Sequence, residues 1–134
     1  MGGLLYKELS YRIQGIAMDV RKNYGPGHKE TLYQNAFEEC LRLERIPYQR
    51  EREIAIWSPK TGKKIGVYRP DFIIDDKIII ELKALVQAPK LMIDQLYSYL
   101  RNSTYERGYF INFGSEKLYI RRIIYTNEYK KFKR

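Results

Sequence analysis

Between Arg69 and Lys83 the chain sets three charged side chains, Asp71, Glu81 and Lys83, into two short isoleucine-rich segments separated by Asp75, Asp76 and Lys77. No other stretch restricts the fold so tightly. Carboxylates and an ammonium beside a sheet core are costly to bury unless they pair with one another or hold a metal. Side chains alternate along a strand, so Glu81 and Lys83 share one face while Ile78, Ile80 and Leu82 share the other. With Asp75 to Lys77 as a three-residue loop and Ile74 facing Ile78, Asp71 stands opposite Glu81. Phe72, Ile74, Ile78, Ile80 and Leu82 then form one apolar face, and Asp71, Glu81 and Lys83 gather on the other. A two-residue loop separates the carboxylates and scrambles the apolar side, so the hydrophobic pattern selects the first register.

Two adjacent carboxylates make a hard oxygen site suited to Mg²⁺ or Mn²⁺, and a neighbouring lysine can orient a water or a phosphate. The competing reading is a salt bridge from Lys83 to Asp71 or Glu81 on a solvated sheet face. Three such charges inside isoleucine-rich strands fit that reading poorly.

The rest of the chain predicts an α/β domain over residues 1–134. Leu5, Leu9, Ile13, Ile16, Ala17 and Val20 recur at helical spacing over 4–24, and Gly25, Pro26 and Gly27 stop that helix. A second helix is expected over 28–46, with Leu32, Tyr33, Ala36, Phe37, Cys40 and Leu41 inward and Pro47 beyond it. With Gly27 as N-cap, Glu30 occupies the third helical position, where a glutamate reaches back to the capping amide. Strands are expected over 48–57, 64–74, 77–85, 108–114 and 118–125, the first three as an antiparallel meander. Ala88 and Pro89 open a third helix carrying Leu91, Met92, Leu96, Tyr99 and Leu100, with Gln95 and Tyr99 on one face. Lys60, Lys63 and Lys64 fall at a hairpin tip, where they contact a phosphate backbone or simply solvate a turn. The basic stretch from Tyr129 to Arg134 is expected to fray.

Pro70 and Asp71, then nine residues, then Glu81, Leu82 and Lys83 resemble the PD-(D/E)XK signature of the restriction-endonuclease-like nucleases. Gly27, Glu30 and Tyr33 match the motif that names the GxxExxY family, a branch of that superfamily, and the apolar run ending in Asn112, Phe113 and Gly114 is similar to the same family. Gln95 and Tyr99 resemble the Q-x-x-x-Y motif of RecB-like nucleases, although a half-buried amide and a core tyrosine would give the same letters. Together these motifs span most of residues 10 to 114. The resemblance implies a restriction-endonuclease-like core, a mixed central sheet flanked by helices, here with an extra N-terminal helix. It implies Mg²⁺ or Mn²⁺ held by Asp71, Glu81 and the carbonyl of Leu82, with Glu30 as a further ligand, and Lys83 orienting water. It implies that Gln95 helps position the nucleic acid or the active-site groups, and that Tyr99 contacts nucleic acid.

Charge agrees with such a partner. The 25 Lys and Arg against 16 Asp and Glu give +9, which favours a polyanion, nucleic acid above all, with DNA favoured over RNA. Cutting both strands of a duplex calls for two active sites and so a homodimer. The 13 tyrosines suit base stacking but equally core and rim packing. The lone Cys40 excludes an internal disulfide and a cysteine zinc site, and suits a cytoplasmic location; the single His28 excludes a histidine-pair metal site within one chain. No apolar run reaches membrane-span length, and the first residues lack signal-peptide architecture. The expected activity is therefore metal-dependent phosphodiester hydrolysis; the alternative is a non-catalytic nucleic-acid-binding or protein-interaction module on the same fold.

Overall fold

Apolar residues at helical spacing give the first two elements. Helix α1 (Gly2–Tyr24) buries Leu9, Ile13, Ile16, Ala17 and Val20, and α2 (Glu30–Leu43) buries Tyr33, Ala36, Phe37 and Leu41. The computed structural model describes residues 2–132, with side chains from Tyr6 onward, so the side chain of Leu5 lies outside what is described. Helix α2 starts at Glu30 rather than His28, and its N-cap is Lys29, which makes no side-chain capping bond. The reason lies in the loop before it. Tyr33 Oη donates to the Gly25 carbonyl at 2.6 Å and accepts from His28 N at 3.2 Å, so the tyrosine holds the loop while Lys29 stays extended. Glu30 is thus the first helical residue rather than the third, with Lys29 and not Gly27 at the N-cap.

The same helix ends at Leu43, short of the expected Ile46. Arg45 turns to φ 57°, Arg45 N bonds Arg42 O at 3.1 Å and Ile46 N bonds Leu41 O at 3.0 Å, the paired bonds of a Schellman closure.

The strands follow as β1 (Tyr48–Arg50), β2 (Ile54–Trp57), β3 (Lys64–Tyr68), β4 (Phe72–Ile74) and β5 (Ile78–Lys83). Each of the two long strands expected over 48–57 and 64–74 is divided. Pro70 has no N–H to donate and Glu51 sits at φ 58°, so the ladder is interrupted there. The register survives the break: Ile54 faces Tyr68 on one side and Arg50 faces Phe72 on the other, with Glu51 N bonded to Asp71 O at 3.0 Å between them. Strands β2 and β3 become a separate two-stranded sheet.

After β5 come α3 (Lys90–Arg101), β6 (Arg107–Asn112), β7 (Tyr119–Ile124) and a single 3-10 turn over Asn127–Tyr129. Pro89 is the N-cap of α3 rather than its first residue, and Leu91 is exposed because only Leu96 and Leu100 fall on the buried stripe. The main sheet is mixed, with strand order β1-β4-β5-β6-β7. All of β4, Ile78 to Ile80 of β5 and Gly108 to Asn112 of β6 are buried, so these middle strands are covered on both faces.

The chain forms two compact units, one of residues up to 47 with 82–88 and 111–120, the other of 48–81, 89–110 and 121 onward. Strands β5, β6 and β7 contribute residues to both. In the second unit the C-terminal stretch is pinned rather than frayed as far as Phe132. The buried Lys130 donates from Nζ to the carbonyls of Ser103 (2.7 Å) and Tyr105, and the Phe132 ring stacks on Trp57 at 6.4 Å. Lys133 and Arg134 lie outside the described residues. Among the described residues no helix is long and apolar enough to cross a membrane.

Candidate functional site

In the second unit the site is built by the β4–β5 hairpin. Phe72 faces Ile80, Ile73 faces Ile79 and Ile74 faces Ile78, the register that the apolar pattern predicts. Asp75 and Asp76 both take φ 51° and Lys77 N closes on Ile74 O at 2.9 Å, a turn that aspartate tolerates better than most residues. Lys77 Nζ to Asp75 at 2.9 Å and Tyr105 Oη to Asp76 at 2.7 Å hold the acidic tip. Asp71 directly precedes Phe72 and Glu81 directly follows Ile80, so the two acids flank the last pair of the ladder.

Tyr68 bonds one of these two acids. It is the one buried residue of β3, and its hydroxyl donates a hydrogen bond to Glu81 Oε2. Burial pushes its phenol far above the ordinary range. The charge of Glu81, the hydrogen bond to Glu81, and then the charge of Asp71 push it the same way, so both carboxylates bear on one hydroxyl. The Tyr68 ring lies 4.0 Å from that of Tyr99 at 14°, so the tyrosine of the Q-x-x-x-Y motif is stacked on a protein ring. Gln95, one turn earlier on α3, is exposed. Lys60, Lys63 and Lys64 are exposed around the β2–β3 turn, whose Ser58 Oγ accepts from Lys60 N at 3.1 Å and Thr61 N at 3.2 Å.

In the first unit, Leu82 and Lys83 end β5 and Glu30 opens α2. Glu30 Oε1 lies 3.9 Å from Lys83 Nζ, a long ion pair, and Glu30 Oε2 accepts from Gln34 Nε2 at 3.3 Å. Position i+3 from Glu30 is Tyr33, on the same side of α2, and its buried ring stacks on Phe113 at 4.7 Å and 5°. Phe113 N in turn donates to Lys83 O at 2.8 Å. The glutamate and tyrosine of one motif, the phenylalanine of another and the lysine of a third are therefore joined by one chain of contacts. Next to them the Asn112 side chain behaves like a strand residue, accepting from Leu85 N at 2.9 Å and donating to Leu85 O at 2.8 Å. Gly114 passes so close that an added Cβ would lie 2.5 Å from Leu85 N. Arg21 on α1 secures the far side by donating to the carbonyl of Glu116 at 2.6 Å.

Along β5, Glu81 and Lys83 are two residues apart and alternation sends both side chains to the same side of that strand. Among the described residues no three histidine, cysteine, aspartate or glutamate side chains gather into a metal cage. The carboxylates of Asp71 and Glu81 would fit a hard divalent cation that keeps several waters, since one or two carboxylates are enough for such an ion.

Tyr68 and Gln34 are the site residues that the sequence reading does not single out. Gln34 stands one turn after Glu30 and could be found from that spacing. Tyr68 carries a fainter signal: it directly precedes Arg69, Pro70 and Asp71, and a tyrosine inside a strand needs a partner for its hydroxyl.

No curated protein matches the chain. A crystal structure of SSO0001 is similar in fold, with a TM-score of 0.52 and 22% identity over 72% of this chain; the chain spans half the length of that protein. The architecture is restriction-endonuclease-like, an α/β core with a mixed five-stranded sheet and three helices. Residues 7–123, which contain every acid and the lysine discussed above, match the family model of the PD-(D/E)XK nuclease superfamily, and the chain belongs to that superfamily.

Proposed function

We propose that the chain is a nuclease that hydrolyses phosphodiester bonds of nucleic acid with Mg²⁺ or Mn²⁺, in the GxxExxY branch that its motifs resemble. The observation that supports this reading is the hairpin register: its last pair, Phe72 with Ile80, is flanked by Asp71 on one strand's side and by Glu81, two residues before Lys83, on the other. Asp71, Glu81 and the main-chain carbonyl of Leu82 would hold the cation. When bound, a divalent cation supplies positive charge against the scissile phosphate and makes water easier to deprotonate. The Lys83 ammonium orients the attacking water and offsets the negative charge that builds on the phosphate in the transition state. Glu30 stands beside Lys83 and aims it. The basic surface, with Lys60, Lys63 and Lys64 exposed at one turn, supplies sequence-independent affinity for the phosphate backbone. DNA is favoured over RNA, and cutting both strands of a duplex would call on a homodimer.

Incubating the protein with single- and double-stranded DNA and RNA in Mg²⁺, Mn²⁺ or EDTA tests this. Cleavage should require the cation. Asp71→Asn should remove cation binding and cleavage together, because a neutral amide is a poor ligand for a hard cation. A second reading, a non-catalytic nucleic-acid-binding module, is favoured by one observation: the chemical groups already partner one another, Tyr68 with Glu81 and Glu30 with Lys83. Protein that binds nucleic acid, cuts none of the substrates with either cation and is indifferent to Asp71→Asn would establish that module instead.

A further inference from the structure

We propose that Tyr68 is a positioning residue for the cation site: its hydroxyl fixes the Glu81 carboxylate, and the Tyr99 ring fixes Tyr68. The inference rests on the reading of Asp71 and Glu81 as the cation's ligands. Three observations carry it. Tyr68 is 8% exposed although residues 64–67 of the same strand are all exposed, so the chain turns this one side chain inward. Its hydroxyl, which could have bonded a carbonyl or solvent, donates to Glu81 Oε2. Its ring is stacked 4.0 Å from Tyr99, so the phenol cannot swing while α3 stays in place.

A glutamate at a strand position has several rotatable bonds between backbone and carboxylate. Mg²⁺ accepts only near-octahedral placement of its oxygens, so a wandering carboxylate binds it weakly. A donor that holds one carboxylate oxygen sets the plane of the group before the cation arrives. Partners that hold a ligand in this way commonly change metal affinity by about 10- to 100-fold when removed. This assigns a role to Tyr99 that differs from base stacking, since its ring is occupied by Tyr68. It also fits the break at Pro70: the chain leaves β3 with the Tyr68 hydroxyl on Glu81 and re-enters the main sheet at Phe72.

Mn²⁺ titration of the nucleic-acid-free protein by calorimetry tests the proposal, with thermal unfolding in EDTA run beside it. Tyr68→Phe keeps the ring and the stack but lacks the hydroxyl. It should weaken Mn²⁺ binding by about 10- to 100-fold. Tyr99→Ala keeps the hydroxyl but frees the ring, and should weaken binding in the same direction; it also serves if Tyr68→Phe fails to fold. Asp71→Asn separates the two layers of the inference. If wild type binds Mn²⁺, Asp71→Asn does not, and either folded tyrosine variant binds as tightly as wild type or more so, the positioning role is wrong and the site stands. If wild type binds no Mn²⁺, or Asp71→Asn binds it unchanged, the cation site itself is wrong and the role of Tyr68 falls with it.

Discussion

Replacing Lys83 by alanine should reduce cleavage by about 10²- to 10³-fold, the cost of removing one donor aimed at a developing oxyanion, while nucleic-acid binding survives. The substitution leaves Asp71 and Glu81 in place, and Glu30, whose side chain is 38% exposed, keeps its hydrogen bond from Gln34. The backbone of β5 should not move, because Phe113 N bonds the carbonyl of residue 83 and not its side chain. Affinity should keep its steep salt dependence, with a slope reduced by no more than about one phosphate contact. Cleavage assays beside binding titrations at several salt concentrations measure both quantities. A Lys83→Ala protein that cuts at the wild-type rate would remove the lysine from the mechanism.

The largest effect on stability is expected at Gly114. A Cβ there would meet Leu85 N at 2.5 Å, Ala84 C at 2.6 Å and Leu85 O at 2.7 Å. All three are backbone atoms, so no side-chain rotation relieves the contact and the crossing of the two segments must open. Opening it strains the Asn112 bonds to Leu85 and the bond from Gly114 N to Asn112 Oδ1 at 3.2 Å. Gly114→Ala should cost about 3 kcal/mol, at the upper end for overpacking. Gly15 is the natural control: it lies within α1 with nothing inside 4 Å of an added Cβ. Gly15→Ala should raise stability by up to about 1 kcal/mol through helix propensity. Urea midpoints of the two variants settle the matter, and similar small shifts for both would contradict the close approach at Gly114.

What could be read from residues alone divides along physical lines. The β4–β5 register was legible because a period-two apolar pattern and an acidic turn both select it, and either cue alone would have left it open. The start of α2 was not, because the loop before it is held by Tyr33 Oη, a contact that spans eight residues to Gly25. The strand break at Pro70 was half visible: proline warns of an interrupted ladder, but nothing local announces that Glu51 takes a left-handed conformation opposite it. The C-terminal stretch misled for a related reason. Its basic composition suggests solvent, yet Lys130 and Phe132 are placed by partners more than twenty residues away. Tyr68 shows the general case, since its importance comes from an acceptor on another strand and a ring on a helix.

The Asn112 amide has a kinetic consequence. Leu85 lies outside every strand, yet its N–H and C=O are both bonded by a side chain that imitates a neighbouring strand. In hydrogen–deuterium exchange its amide should keep its proton as long as those of the buried sheet, whereas the exposed Val86 and Gln87 just beyond should lose theirs early. The protected zone of β5 thus runs past its last strand residue, and local opening of the link to α3 begins at Val86, three residues after Lys83.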